Sequence, residues 1–182
     1  DHLAIWCKKH NLQLNAKKTK ELIFDFRKKT KPHIPVRINN EAVEIVKSFT
    51  YLGVHISDSL NWAEHINSTV KKCNQRMHCL RLLKKFKIDR RILYTFHQAA
   101  ILSVMTYASC AWGPGATKAD LKNLNRIQKR AARMIQEDTT PVENLITSQV
   151  MAKASKIQGD KTHPLTQKFE ILPSGRRLRA FK

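Results

Sequence analysis

At Trp62 the spacing of apolar residues changes from two to between three and four, so the chain must build a sheet-forming part first and helices after it. Ahead of that point, residues 3–10 read as the last turns of a helix stopped by Asn11. Leu22-Ile23-Phe24-Asp25-Phe26 predicts a strand, entered through Lys17-Lys18-Thr19-Lys20-Glu21 and left through a basic turn ending at Pro32. Val36-Arg37-Ile38 alternates, Asn39-Asn40 is a hairpin signal, and residues 43–46 read as a short return strand. The longest β-type run is Phe49-Thr50-Tyr51-Leu52-Gly53-Val54-His55-Ile56, closed by Ser57-Asp58. Residues from about 20 to 57 are therefore expected to form a small antiparallel sheet.

Beyond the switch, Trp62, Ile66, Val70, Cys73, Met77, Leu80, Leu83 and Phe86 fall on one face of a helix about six turns long. Its other face carries Lys71, Lys72, Arg76, Arg81, Lys84 and Lys85. Asp89 is placed to cap a second helix, residues 90–109, whose apolar residues run nearly all round and predict a central, buried position. Trp112-Gly113-Pro114-Gly115 ends it, and Trp62 and Trp112 read as packing anchors. Thr117 and Asp120 open a third helix reaching about Gln136, with Leu121, Leu124, Ile127, Ala131 and Met134 inward. Its outer row, Lys118, Lys122, Arg126, Lys129, Arg130 and Arg133, forms a ridge roughly 22 Å long. A fourth helix covers about 142–157, and a basic tail, expected to be extended and flexible, follows. The expected fold is α+β, a small antiparallel sheet followed by a basic bundle of three to four helices, divided at 1–58, 59–158 and 159–182.

Lys and Arg number 34 against 14 Asp and Glu, a formal +20 that repels itself unless a polyanion neutralises it. Residues 1–58 hold 11 Lys and Arg against 6 acids, whereas residues 59–182 hold 23 against 8, so the helical part is the electrostatic footprint. Nucleic acid is the expected partner. A membrane is not, because no stretch joins a Trp- or Phe-rich amphipathic face to a lipidation signal, and no run of 18 apolar residues occurs. Without a signal-peptide pattern an intracellular location, nuclear or cytoplasmic, is expected. The chain starts Asp1-His2 rather than with Met and reads as cut from something longer.

Cys7, Cys73, Cys79 and Cys110 are spaced too irregularly for a metal clip and read as reduced, buried thiols, and the His residues are dispersed, so no metal site is expected. No nucleophile elbow, phosphate-binding glycine loop or zinc-protease motif is present. Glu137-Asp138, the one adjacent acidic pair, reads as a helix terminator rather than a holder of two Mg²⁺ ions. Lys17, Lys18 and Lys20, just before a strand, suit either phosphate contact or a solvated turn. Phe49, Tyr51 and Gly53 suit either a hairpin on which a sugar or base leans or ordinary sheet core.

The order of these motifs resembles the LINE-type (non-LTR) retrotransposon reverse transcriptases, and the resemblance covers nearly the whole chain. It rests on Trp6-Cys7, Asn11-Leu12, Leu14-Asn15, Lys18-Thr19-Lys20-Glu21 and the run 49–57, continuing through 80–85, Tyr107, Trp112, His163-Pro164 and Leu172-Pro173-Ser174-Gly175-Arg176-Arg177-Leu178-Arg179. The resemblance implies that residues 1–27 are the end of a palm, with Lys18 and Lys20 sensing nucleotide. Phe49, Tyr51, Leu52 and Gly53 then belong to a primer-grip hairpin. The helices become a thumb that clasps an RNA–DNA hybrid or duplex through Lys71, Lys72, Arg76, Lys84, Lys85 and the outer row of the third helix. The catalytic aspartates of such RNA-directed DNA polymerases lie upstream of this chain. The fragment is thus expected to lack a cofactor and activity of its own, Mg²⁺ serving the intact polymerase.

A narrower resemblance, over Lys71 to Leu93, is to the amino-terminal segment of AlkB-type tRNA-modifying dioxygenases, which would imply 2-oxoglutarate and iron or methyl transfer. No H-x-D motif for Fe(II) and no glycine-rich nucleotide loop accompanies it. A third reading, a helical protein-interaction module, predicts salt-insensitive binding to a protein.

Overall fold

The amino-terminal part forms short ladders rather than one sheet. The structure is a computed structural model describing residues 2–28, 32–38 and 40–166. Helix α1 (His2–Lys9) ends at Asn11, whose φ of 54° is a left-handed conformation that Asn tolerates. Four two-residue strands follow: β1 (Lys20–Glu21), β2 (Arg37–Ile38), β3 (Glu41–Ala42) and β4 (Glu44–Ile45). β2 and β3 make the hairpin signalled by the Asn pair, with Asn40 at φ 63°. β1 pairs in parallel with β4, Lys20 opposite Glu44, so the return strand of the hairpin is Glu41–Ala42, ahead of the expected 43–46, and Glu44–Ile45 belongs to the parallel ladder instead.

The strand expected at Leu22–Phe26 does not form. Asp25 accepts the Arg27 backbone N–H at 3.0 Å and its guanidinium at 2.7 Å, a local turn that competes with ladder pairing. Phe24 and Phe26 are exposed as a result. The longest β-run is a hairpin, β5 (Ser48–Tyr51) antiparallel to β6 (Val54–Ser57). Its turn holds Leu52 at φ 47° and Gly53 at φ 79°, the two positive angles of a type I′ turn, which glycine adopts without a Cβ penalty.

From Trp62 burial follows the helical spacing. Helix α2 (Ala63–Lys85), about 35 Å long, buries Ile66, Cys73, Met77 and Leu80, whereas Phe86, expected inward, is 72% exposed because the chain leaves the helix there. The second helix is interrupted. α3 (Arg90–Phe96) runs into a π-helical segment (His97–Leu102), then α4 (Ser103–Met105), and the chain reverses at Ala108, φ 51°. Its buried residues Leu93, His97, Ile101 and Met105 are spaced by four. At about 100° per residue an α-helix would carry that row off the core by about 40° per step, and wider π turns bring it back. Ile92, Tyr94 and Tyr107 face solvent, so this helix is buried along one row rather than all round.

Helix α5 (Ser109–Trp112) seats Trp112, whose indole N–H donates to the Tyr107 carbonyl at 2.8 Å. Trp62 and Trp112 are both buried, as expected of anchors. Helix α6 (Lys118–Ile135) opens with the Thr117–Asp120 capping box, each backbone N–H bonded by the other's side chain. It buries Leu124, Ile127, Ala131 and Ile135 against α2, while Leu121 and Met134 are half-buried. Helix α7 (Val142–Gly159) closes the bundle, and Thr166 bonds back to the Ile157 carbonyl at 3.0 Å. Residues 172–179, which carry the last motif of the resemblance, lie outside the described residues. The cysteines are all free, but only Cys7 and Cys73 are buried; Cys79 and Cys110 are exposed, contrary to expectation.

Candidate nucleic-acid interface

A helix presents a straight stripe when residues recur every three or four positions, and α6 does so with Lys118, Lys122, Arg126, Lys129 and Arg133, all exposed. Arg130 lies beside this stripe and donates to Asn74 Oδ1 of α2 at 3.2 Å. On α2, Lys71, Lys72 and Lys85 are exposed, and the Lys84 ammonium approaches the Arg133 carbonyl at 3.5 Å, a cation at the carbonyl end of α6. Arg76 is different from the other cations expected to hold a backbone. It is half-buried and donates to the Ala100 carbonyl inside the π segment, where the widened turn leaves acceptors to be satisfied.

A cleft of about 570 Å³ lies between α6 and the stretch leading into α7, lined by Lys118, Lys122, Arg126, Lys129, Thr139 and Glu143 among others. Among the described residues none of those four cations is in an ion pair. Asn125 joins the walls: its Oδ1 accepts the Val142 N–H at 2.9 Å, and its Nδ2 donates to both Glu143 oxygens at 2.8 and 2.7 Å. Asn125, Thr139, Thr140 and Glu143 escaped the sequence reading, because no periodicity marks residues that meet only when two helices pack.

The hairpin stands beside the helices. Phe49 and Tyr51 lie opposite Ile56 and Val54 on one face. Val54 belongs to the helical core, whereas Phe49, Tyr51 and Leu52 are exposed. The Tyr107 hydroxyl donates to the Leu52 carbonyl at 2.9 Å and pins the turn, and a Cβ added at Gly53 would lie 3.8 Å from Tyr107 Cε1. At the hairpin's base His65, buried between Trp62 and Trp112, faces the His55 N–H. Burial first, then His55 and Lys72, push the His65 imidazole below its ordinary pKa. Of the two lysines placed before a strand, Lys18 is exposed while Lys20 is ion-paired to Glu44.

Glu137 pairs with Arg90 just past the end of α6, whose C-cap is Gln136 in a left-handed conformation. Among the described residues no group of three or more His, Cys, Asp or Glu side chains is placed to hold a metal ion, and no helix is long and apolar enough to cross a membrane.

Fold and site together define a strongly basic α+β protein whose charge is displayed on helix surfaces. Over 135 residues, 73% of the chain, it is 27% identical to a Drosophila melanogaster protein described as "Probable RNA-directed DNA polymerase from transposon BS". The chain spans 15% of that relative's length. A family model described as "Alkylated DNA repair protein alkB homolog 8, N-terminal" matches residues 62–103, the stretch from the start of α2 through the π segment. No solved structure matches.

Proposed function

We propose that the chain is a thumb-like piece of a transposon reverse transcriptase that clasps a nucleic-acid backbone without reading its sequence. The observation that carries this is the exposed stripe Lys118–Lys122–Arg126–Lys129–Arg133, unpaired among the described residues. Phosphate contacts of this kind release counterions, so affinity falls with salt by a power of about 0.9 per contact. Five contacts give a slope of about −4.5 and a loss of about 500-fold between 50 and 200 mM salt. Removing three of them in Lys118→Ala/Lys122→Ala/Lys129→Ala leaves a slope of about −1.8 and a loss of about 12-fold.

Titrating the chain with an RNA–DNA hybrid across a salt series tests this directly. Salt-independent binding, or none at low salt, rejects the clasp and favours a protein-interaction module. The hairpin bearing Phe49, Tyr51, Leu52 and Gly53 then serves as the primer-grip element beside the clasp. Polymerisation, with its Mg²⁺, belongs to a longer polypeptide; Mg²⁺-dependent primer extension by the purified chain would overturn that assignment. The alkB-type reading has residues 62–103 behind it, but that stretch brings together no iron-binding set among the described residues.

A further inference from the structure

The cleft between α6 and the start of α7 holds one group that a phosphate site does not want. Glu143 lines it together with Lys118, Lys122, Arg126 and Lys129, and its carboxylate is fixed by the neutral amide of Asn125 rather than by any of those cations. A carboxylate beside a phosphodiester is repelled unless the ligand brings a hydrogen-bond donor to it. A DNA backbone carries no such donor. A ribose backbone carries one per nucleotide, the 2′-hydroxyl, which is also the group that separates RNA from DNA in protein recognition.

We infer that this cleft reads ribose: Lys118, Lys122, Arg126 and Lys129 hold consecutive phosphates, and Glu143, with the Thr139 and Thr140 hydroxyls beside it, accepts the 2′-hydroxyl between them. The volume of about 570 Å³ admits a sugar-phosphate unit. Asn125 is a positioning residue, since it fixes Glu143 and the first N–H of α7 at once. The strand lying along α6 is then the RNA strand of the bound duplex. The inference rests on the backbone clasp proposed above.

The test is fluorescence anisotropy of the whole chain with matched strands of RNA, DNA and 2′-fluoro RNA, the last keeping A-form geometry without the donor. The expected result is a preference for RNA over both other strands of about tenfold, the worth of one charge-assisted hydrogen bond. In Glu143→Gln the preference falls to about threefold or less, chiefly because DNA binding strengthens, while the salt slope is unchanged. Lys122→Ala weakens all strands alike and keeps the preference. Equal affinity for RNA and 2′-fluoro RNA, or a Glu143→Gln gain that is the same for RNA and DNA, overturns ribose reading while leaving the clasp intact. Loss of the clasp is distinguishable, because no strand then binds at low salt.

Discussion

Gly113→Ala separates two opposite expectations. Gly113 sits at φ −58° and ψ −47°, helical angles open to any residue, where alanine in place of glycine ordinarily stabilises by about 0.4–1 kcal/mol through the unfolded chain. Here the added Cβ would overlap the Ile146 side chain of α7, with other Ile146 carbons at 3.5 and 3.6 Å. Ile146 is β-branched and only 6% exposed, so it has little room to turn away. Overpacking of this kind costs about 1–3 kcal/mol, and at about 2–4 °C per kcal/mol for a chain this size the melting temperature should fall by about 2–12 °C. Ile146→Ala alone should cost about 2–5 kcal/mol by leaving a void. The double variant should be less destabilised than the sum by about 1–3 kcal/mol, because the new methyl enters the space vacated. Thermal melts of the four proteins decide it. A Gly113→Ala protein that melts at or above the parent, or a strictly additive double variant, refutes the packing account. Glu143 precedes Ile146 by three residues on the same side of α7, so a helix pushed outward should also disturb the Asn125 bonds that shape the cleft.

Arg76→Met should lower stability by about 1–3 kcal/mol by orphaning the Ala100 carbonyl, while leaving the salt slope of nucleic-acid binding within error; a changed slope would return Arg76 to the backbone-binding set. Burial pushes the His97 and His65 imidazoles below the ordinary value of 6.5. The unfolded chain therefore takes up their protons first, and stability, full above about pH 6.5, should fall as the pH drops below it. Denaturant melts from pH 8 to 5 check this, and His97→Leu/Gln128→Leu, which removes a buried pair together, should make the fall shallower. Burial also raises the Cys73 thiol to about 11. In the native chain a thiol reagent should label Cys79 and Cys110 quickly and Cys7 and Cys73 only on unfolding, as peptide mapping would show.

What the sequence made legible is what periodicity and capping encode. The α2 face, the Thr117–Asp120 box and the α6 stripe all depend on residues within a turn or two of one another. The failures have the opposite character. Leu22–Phe26 has strand-like residues, but Asp25 satisfies local donors and the adjoining ladder is made by Lys20 and Glu21. An apolar stretch such as 90–109 cannot announce a π turn, because the register is set by fitting Leu93, His97, Ile101 and Met105 to a core supplied by α2 and α6. The outer row of α6 could be read from sequence as a set of cations. Glu143 at the edge of their cleft could not, since its place depends on how α7 docks.

The bonds that hold the cationic helices together also explain how the charge stays available. Arg130 is held by the Asn74 amide, Lys84 by the Arg133 carbonyl and Arg76 by the Ala100 carbonyl. Each bond fixes a side chain with a neutral acceptor, so none cancels a positive charge. A carboxylate in any of these places would fix the geometry equally well and remove a unit of the field that attracts a polyanion. The ion pairs found among the described residues lie elsewhere: Lys20–Glu44, Arg27–Asp25 and His33–Glu21 in the amino-terminal part, and Arg90–Glu137 beyond the end of α6. Two helices bearing like charges face each other because Cys73, Met77 and Leu80 on one and Leu124, Ile127 and Ala131 on the other are buried together, which outweighs a repulsion that salt screens within about 8 Å. A bound backbone would relieve that repulsion, so binding and folding of this bundle should reinforce each other rather than compete.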